Sequence, residues 1–354
     1  MKKVLFLING LGLGNATRCH AIIEELIEVG CEVHIMTSGN GIWYFEGNKK
    51  IKTIEELDSL FYGKKKNKLS IIDTFLSFNS LFKVMKKNSI LITNALKKIN
   101  PEVIVTDSIY SYKPLIKSKK KIIAINNANQ IVSAFFEIGK KPLSIYAQFI
   151  FIELMDFLYH KFFPYIVLSP WVKNTKLKKN GKIYSIPPII RKNINLINNN
   201  QKKVLLMLSG SNFGTKVFLY NKKFNFKIDV VGRDKPLNIK ALKNVKYHGK
   251  IKDNRKLIID TNLAIVNGGF SAVSEMFCLK IPMIVIPVPN HSEQWLNAKT
   301  IEDLGVGLVG NEDNYENLMI YMLKNLNQYN MAYNKISINT NGALIAANII
   351  RNAK

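Results

Sequence analysis

The chain has 354 residues, of which 47% are hydrophobic and 10% aromatic, and its 51 Lys and Arg outnumber 25 Asp and Glu to give a net charge of +26. This composition excludes a disordered chain, and the length favours two domains. The longest apolar stretch, residues 143–168, is interrupted by charged side chains and by Pro164, so it predicts no membrane-spanning helix.

The three cysteines lack the spacing of a metal or redox site, and the five histidines are scattered along the chain. We therefore expect no metal ion and no cofactor, and a reducing, cytoplasmic setting. The apolar run at residues 4–8 is too short for a signal sequence and is typical of a first strand.

The positive charge has three interpretations: the lysine-rich composition of a whole proteome, an anionic membrane surface, or nucleic acid. The lysines are spread over the whole chain beside abundant Asn and Ile, which favours the first. No nucleic-acid-binding motif accompanies the charge, so nucleic acid is not an expected partner.

The segment from Lys52 to Lys98 is basic and contains Phe61, Tyr62 and Phe75. It suits peripheral contact with anionic lipid, although most of its apolar residues fit a core.

The first strand, Val4–Ile8, leads into a glycine-rich turn and a helix that ends near Val29. A dinucleotide-binding fingerprint would need Gly at position 15 or 17, where the chain has Asn15 and Thr17. It would also need an acidic residue near the end of the second strand, which residues 36–38 do not provide. The nicotinamide-cofactor interpretation therefore fails twice.

Two more buried strands are predicted at residues 101–107 and 120–126. Asp107 closes the first of them at its carboxyl end, where parallel sheets bind ligands, so it is either a ligand-facing group or a cap for the next helix. The polar run at residues 126–130 follows the second strand and is a candidate contact for an acceptor. The aromatic stretch at residues 143–163 predicts a helix, more typical of a core than of a lipid-binding face.

Residues 262–298 carry the densest pattern in the chain. They predict a strand at Leu263–Asn267, a turn at Gly268 and Gly269, a helix from Ser271, a strand at residues 283–287 and a helix from Ser292. The glycines let the backbone approach a ligand, and the free amides at the start of the first helix suit a phosphate group.

Glu275 lies one turn beyond Ser271 on the predicted helix, where a carboxylate would repel phosphate and would suit a neutral diol such as a ribose. His291, Gln294 and Asn297 recur at intervals of three and form a stripe of neutral donors and acceptors, which suits sugar hydroxyls. The alternative is an ordinary strand–helix–strand unit with solvated polar residues, which the glycines alone would favour.

As a whole, this string resembles the C-terminal domain of family 28 (MurG-like) and related GT-B glycosyltransferases. The matching residues are Gly268, Gly269, Ser271, Glu275, Pro282, Ile284, Pro287, His291, Gln294, Asn297 and Ala298. The first loop also resembles that of these enzymes, through Gly10, Gly12, Gly14 and Arg18. The family's histidine is replaced by Asn15, which can orient a hydroxyl or a phosphate but cannot accept a proton at neutral pH. A purely structural role for Asn15, as the N-cap of the helix, is the alternative.

The resemblance implies an α/β fold of the GT-B type, with two Rossmann-like domains that face a central cleft. We expect an acceptor-side domain at residues 1–170, a linker at 171–201 and a nucleotide-sugar-binding domain at 202–335. A last helix at residues 336–354 would pack back toward the first domain.

The resemblance also implies inverting, metal-independent transfer of a sugar from a nucleoside diphosphate sugar to an acceptor hydroxyl. The expected donor is a UDP-linked hexose or N-acetylhexosamine, and the expected acceptor is lipid-linked or a glycolipid. The implied donor-binding residues are Ser209, Gly210, Ser211, Gly268, Gly269, Ser271, Glu275, His291, Gln294 and Asn297. Gly12, Gly14 and Arg18 would close the acceptor side, where Asn15 orients a reactant. Asp107 is our preferred substitute for the missing basic histidine, ahead of His20.

Two other classes of function remain open. A non-catalytic sugar-nucleotide-binding subunit of a transferase complex is motivated by Asn15 and would bind a donor without turning it over. A GT-B-fold epimerase would change the donor sugar without any acceptor, but the sequence offers no acidic and basic pair that we can assign to proton transfer at a sugar carbon.

Overall fold

The structure is a computed structural model that describes residues 1–59, 64–65, 68–69, 78–197, 201–207, 224–235 and 244–353. It shows two α/β domains, each built on a largely parallel sheet. No helix in these ranges is both long enough and apolar enough to cross a membrane.

The first domain contains an eight-stranded sheet. Its strands are β1 (Lys3–Ile8), β2 (Glu32–Thr37), β3 (Thr53–Glu56), β6 (Val103–Asp107), β7 (Lys121–Ile125), β8 (Ile166–Pro170), β9 (Lys178–Asn180) and β10 (Ile183–Ile186). The strands β4 (Lys64–Lys65) and β5 (Lys68–Leu69) pair with each other in a separate hairpin. The spatial order is β3-β2-β1-β6-β7-β8-β10-β9, and every neighbouring pair is parallel except β9 with β10. The central strands are buried and apolar, as expected for a parallel sheet covered by helices on both faces.

The second domain contains a six-stranded sheet in which all pairs are parallel. Its strands are β11 (Lys203–Met207), β12 (Lys227–Val231), β13 (Val245–Tyr247), β14 (Leu263–Asn267), β15 (Met283–Ile286) and β16 (Gly307–Val309). The order is β13-β12-β11-β14-β15-β16, so the chain changes direction across the sheet between β11 and β14. Such a switch point opens a crevice at the carboxyl ends of the strands, and the first domain has an equivalent one between β1 and β6.

The helices flank these two sheets. They are α1 (Leu13–Glu28), α2 (Asn40–Phe45), α3 (Phe78–Ile99), α4 (Tyr112–Lys117), α5 (Ala128–Glu137), α6 (Leu143–Gln148), α7 (Leu154–Phe162), α8 (Arg255–Ile258), α9 (Phe270–Cys278), α10 (Ser292–Asp303), α11 (Tyr315–Lys324), α12 (Leu326–Asn334) and α13 (Gly342–Asn352). A single π-helical turn, Phe149–Glu153, joins α6 to α7. The predicted α/β architecture of two parallel-sheet domains is thus confirmed.

An apolar cluster continues from one domain into the other. Side chains of α5 and the π turn, such as Ile131 and Phe149, belong to the same buried cluster as Met276 of α9 and Leu296 of α10. At its edge the Trp171 and Phe270 rings stack with centroids 5.5 Å apart. Burial of this shared apolar surface holds the two domains against each other.

The last helix, α13, packs against α1 of the first domain. Its residues Ala346, Ala347 and Ile350 are buried in the core beneath β1 and β2. The Lys2 ammonium donates hydrogen bonds to the carbonyls of Arg351, at 2.7 Å, and Ala353, at 2.6 Å. The chain therefore leaves the second domain and ends on the first.

The aromatic stretch at residues 143–163 is helical, but the expectation that it is a core element is only partly right. Phe149 is buried, whereas Phe151 is 63% and Phe162 is 70% exposed. A helix at the edge of a domain can bury only one face, and here the outer face is also apolar. Of the aromatic residues in the basic segment at residues 52–98, Phe61, Tyr62 and Phe75 lie outside the described residues, and Phe82 of α3 is 55% exposed.

The start of α13 provides a test of its docking. A Cβ atom added to Gly342 would lie 2.2 Å from the carbonyl oxygen of Pro188 and 2.3 Å from that of Pro187. Because both atoms belong to the backbone, Gly342→Ala should push α13 away and lower the free energy of unfolding in urea by about 1–3 kcal/mol.

The matched control is Gly139→Ala, since a Cβ atom there meets nothing within 4 Å. Its effect should stay within about 0.5 kcal/mol. Equal stability of the two variants would contradict the close docking of α13.

Candidate active site

The two domains enclose a cleft of about 440 Å³, a volume typical of ligand sites. One wall consists of the loops after β1, β6 and β7 with the π turn. The other consists of the ends of β11 and β12 and the segments that follow β13, β14 and β15. Of the predicted site residues, those that line the cleft are Gly12, Gly14, Asn15, Arg18, Gly269, Ser271, Glu275, His291 and Gln294. Ser209, Gly210 and Ser211 lie outside the described residues.

The first loop forms the edge of the N-terminal wall. Asn15 lies inside the first turn of α1, whose N-cap position is Gly12, so the N-cap alternative for Asn15 is wrong. Its side-chain oxygen lies 3.5 Å from Nη2 of Arg18. The Gly14 carbonyl accepts a hydrogen bond of 2.8 Å from the hydroxyl of Ser271 in the other domain. The loop therefore already contacts the segment expected to hold the donor.

Asp107 is fully buried at the end of β6 and is not among the residues that line the cleft. Its two oxygens accept hydrogen bonds from Arg18, at 2.9 and 2.6 Å, and it is also contacted by the Cys19 thiol and the Ser108 hydroxyl. All four donors belong to the protein, and the buried carboxylate has no contact with the open cleft. This geometry argues against Asp107 as the general base and assigns it to the positioning of Arg18.

A second carboxylate on this wall, Asp156 of α7, faces the cleft. It accepts hydrogen bonds from the Tyr110 hydroxyl, at 2.9 Å, and the Asn126 amide, at 2.7 Å, and lies 3.0 Å from Nδ1 of His160. Burial alone would raise the pKa of Asp156, but these three partners outweigh it and lower the pKa. Asn126, the first residue of the polar run expected to contact an acceptor, thus belongs to a preorganised polar network.

The two glycines of the β14–α9 turn have different roles. A Cβ atom on Gly268 would lie 2.5 Å from the Gln294 carbonyl oxygen, so this glycine is required by packing against α10. Gly269 occupies the N-cap position of α9, and a Cβ atom added to it would meet nothing within 4 Å. It lines the cleft with Phe270 and Ser271, which places the first amides of a nine-residue helix beside open space. This is the geometry of an anion site at a helix N-terminus.

Glu275 lines the cleft one turn further along α9 and is paired with Arg191 from the segment between the domains. The guanidinium Nε and Nη2 atoms lie 2.9 and 2.7 Å from the two carboxylate oxygens, and Nη2 also donates to Asn254 at 2.6 Å. Arg191 lies 84 residues before Glu275 and carries no local sequence signal of this contact. A carboxylate keeps acceptor sites beyond the two that a guanidinium uses, so a diol could still donate to Glu275.

The three residues of the predicted polar stripe, His291, Gln294 and Asn297, have different roles in the structure. Asn297 is 2% exposed and does not reach the cleft, and it donates instead to the Gly268 carbonyl at 2.8 Å. Gln294 accepts a hydrogen bond from the Val288 backbone and also lines the cleft. His291 lines the cleft too, and burial lowers its pKa to about 4. A neutral imidazole is therefore present at this point.

Two glutamates that the sequence analysis did not select face each other across the domain boundary. Glu153 of the π turn accepts a 2.8 Å hydrogen bond from the hydroxyl of Ser292, and the Gln148 side chain accepts one from the Ser292 backbone amide. Glu153 and Glu293 both line the cleft. Burial, followed by repulsion from Glu293, raises the pKa of Glu153 to about 8. Burial also raises the pKa of Glu293.

Two lysines of the second domain reach across to the first. The Lys250 ammonium lies 4.1 Å from the centroid of the Trp43 ring and donates to the Asn40 side chain at 2.6 Å. Lys252 donates to the Glu46 carbonyl at 2.9 Å. Both lysines line the cleft and add positive charge to it. Within the described parts of the chain, no group of three or more His, Cys, Asp or Glu residues is placed to hold a metal ion.

Comparison with known proteins supplies the family. A family model described as glycosyl transferase family 1 matches residues 2–326. One relative is the UDP-N-acetylglucosamine–N-acetylmuramyl-(pentapeptide) pyrophosphoryl-undecaprenol N-acetylglucosamine transferase of Rickettsia canadensis. The two chains are 26% identical over 336 residues, and the alignment covers 87% of this chain and 85% of the relative.

Two solved structures share the fold. MurG of Acinetobacter baumannii aligns over 100% of both chains, with a TM-score of 0.61 and 13% identity. UGT89C1 of Arabidopsis thaliana, complexed with UDP, aligns over 99% of this chain and 100% of its own, with a TM-score of 0.63 and 11% identity. The resemblance to GT-B glycosyltransferases with MurG-like relatives is confirmed. Since the family model spans nearly the whole chain, the protein belongs to glycosyl transferase family 1 and is a glycosyltransferase of the GT-B fold.

Proposed function

We propose that this glycosyltransferase moves a hexose or N-acetylhexosamine from a UDP-linked donor to the hydroxyl of a lipid-linked acceptor, with inversion and without a metal ion. The observation that carries the proposal is the open N-terminus of α9 at Gly269, one turn from the carboxylate of Glu275, in a cleft between two domains. The name of the Rickettsia relative includes a UDP-sugar and an undecaprenol-linked acceptor, and the Arabidopsis structure contains UDP.

The diphosphate of the donor suits the start of α9. The unpaired amides at Gly269, Phe270 and Ser271 supply donors and the positive end of the helix dipole. Lys250 and Lys252 add two ammonium groups to the cleft lining. As the sugar–phosphate bond breaks, negative charge grows on the leaving diphosphate, and fixed donors of this kind stabilise it without reorganisation.

The ribose of the donor suits Glu275. Two adjacent hydroxyls can donate to the oxygens of a carboxylate, and Arg191 holds this carboxylate in place by a bidentate contact in the cleft wall. The sugar then extends toward His291 and Gln294, which present neutral polar groups to the cleft. The acceptor enters from the wall formed by the first loop and α7, and its hydroxyl attacks the anomeric carbon opposite the diphosphate.

The lipid part of the acceptor suits the exposed apolar face of the first domain. This face is formed by α5, α6, the π turn and α7, which pack on one another. Its exposed apolar residues are Phe136, Leu143, Ile150, Phe151, Met155 and Phe162. Exposed or partly exposed lysines at positions 140, 141 and 161 accompany them. Apolar side chains with nearby cations match an anionic bilayer surface, so we propose peripheral membrane contact here.

A second candidate function is a non-catalytic sugar-nucleotide-binding subunit. Asn15 favours it, because this cleft-lining residue cannot accept a proton where related enzymes carry a histidine. Such a protein would bind a donor at α9 and release no nucleotide.

The donor site is tested with UDP-, GDP- and dTDP-sugars, by calorimetric binding and by nucleotide release in the presence of bacterial membrane lipid extract. We expect UDP-sugars to bind and to release UDP only with the extract.

The Glu275→Gln variant should bind the donor about 10- to 100-fold more weakly than the wild type, the loss expected for charged hydrogen bonds. The control Glu28→Gln changes an exposed carboxylate that pairs with Lys192, and it should leave donor affinity unchanged. Equal affinities of the two variants would reject Glu275 as the ribose ligand, and binding without release would favour the subunit.

Membrane contact is tested by co-sedimentation with vesicles of phosphatidylcholine and phosphatidylglycerol. Replacing Phe151 and Phe162 together by serine should reduce vesicle binding by at least about tenfold, since each buried aromatic side chain is worth roughly 1.5–3 kcal/mol. The control double variant replaces Tyr321 and Met331, two exposed apolar residues of the second domain, by serine. If both double variants bind vesicles equally, the apolar face is not the membrane contact.

A further inference from the structure

We infer that Glu153, in the π-helical turn of the first domain, is the general base that takes the proton of the acceptor hydroxyl. This inference rests on the proposed transferase function and adds the residue that the missing histidine leaves unassigned. It follows from the position of Glu153 in the cleft, from its contacts across the domain boundary and from the state of the other polar groups on the same wall.

The other candidates on the acceptor side are unsuited to the task. Asn15 has no proton-accepting form at neutral pH. Asp107 is enclosed by donors and does not line the cleft. Asp156 lines the cleft, but Tyr110, Asn126 and His160 all stabilise its ionised form, which weakens it as a base. His20 hydrogen-bonds to Tyr44 and is not among the cleft-lining residues.

Glu153 combines access with a restrained position. It lines the cleft although it is 93% shielded from solvent, and its neighbour Ile152 lines the cleft beside it. Its carboxylate accepts hydrogen bonds from the Ser292 hydroxyl, at 2.8 Å, and from the Glu293 backbone amide. Both donors belong to the first turn of α10 in the other domain. π-helical turns are rare and are often found at functional sites, where they direct one side chain out of the regular helical pattern.

The surroundings of Glu153 raise its affinity for a proton. Burial raises its pKa, and the negative charges of Glu293 and Asp156 raise it further, to about 8. Burial raises the pKa of Glu293 as well, and the positive charge of Arg18 on α1 offsets only part of that rise. Asp156 is itself compensated by His160. A base whose pKa lies near the working pH transfers protons most effectively, so these charges tune Glu153 for general base catalysis.

The proposed step transfers the sugar to the acceptor oxygen and one proton to Glu153. The acceptor oxygen uses a lone pair to form a bond with the anomeric carbon of the donor sugar. The bond from that carbon to the diphosphate oxygen breaks, and its electron pair leaves with the nucleoside diphosphate. The acceptor O–H proton passes to a carboxylate oxygen of Glu153 and is then lost to solvent, which regenerates the base.

The contacts of Glu153 also link the base to the arrangement of the domains. The donors that position its carboxylate, Ser292 and Glu293, come from the same helix that carries Gln294 on the proposed donor side. A separation of the domains would remove both hydrogen bonds from Glu153. The base is therefore held in place only when the donor-binding domain lies against the acceptor-binding domain.

The test compares the wild-type protein with Glu153→Gln and with Glu28→Gln, which changes an exposed glutamate of α1 that pairs with Lys192. The UDP-sugar that binds in the panel and the membrane lipid extract are supplied, and donor affinity is measured beside nucleotide release from pH 6 to pH 9. The Glu153→Gln variant should bind the donor normally, while its kcat/KM for nucleotide release falls by about 10²- to 10⁴-fold, the typical contribution of a general base. The Glu28→Gln variant should match the wild type.

The pH profile supplies an independent readout that needs no change at Glu153. Because the base must be ionised, wild-type kcat/KM should rise as the pH rises through about 8. Glu293→Gln removes the charge that raises this pKa, so the rising limb should move to lower pH.

If kcat/KM for nucleotide release by the Glu153→Gln variant stays within about threefold of the wild-type value, the inference is overturned while the transferase function stands. A wild-type profile without the rising limb would overturn it as well, even if Glu153→Gln failed to fold. Donor binding by the wild type without any nucleotide release would instead overturn the transferase function, and the inference with it.

Discussion

The common direction of the strands is the constraint on which the cleft depends. In a parallel sheet every strand ends at the same edge, so the loops that carry polar residues collect there. The two domains turn these edges toward each other, and the shared apolar cluster around Phe149 and Leu296 maintains this arrangement. The open N-terminus of α9 and the polar network around Asp156 thus face one cavity.

Two buried guanidinium–carboxylate pairs fix the walls of this cavity. Arg18 is held by Asp107 at the end of β6, and Arg191 by Glu275 on α9. Removal of one partner from such a pair leaves an uncompensated buried charge, which costs roughly 3–5 kcal/mol. The pairs therefore act as rigid supports, and each leaves a charged group at the cleft surface where a ligand can use it.

The sequence predicted the backbone of the site better than its side-chain contacts. The turn and helix at residues 263–278 follow from apolar strands, paired glycines and a helical pattern, which are all local signals. The partner of Glu275 lies 84 residues away, and no local pattern identifies it. The contacts of Asp107 were hidden for the same reason, because its carboxylate is enclosed by residues of α1. Glu153 was visible only as a charge in an apolar run, and its importance depends on a helix 139 residues further along the chain.

The contact between Trp43 and the lysines of the second domain gives the molecule an internal optical reporter. The indole ring belongs to α2, whereas the ammonium groups of Lys250 and Lys252 lie 4.1 and 5.5 Å from its centroid. A cation over the ring face perturbs the electron distribution that governs the emission of the indole. The chain also contains Trp171 and Trp295, so a variant that keeps Trp43 as its one tryptophan would report any change in the separation of the two domains through its emission, without an attached dye.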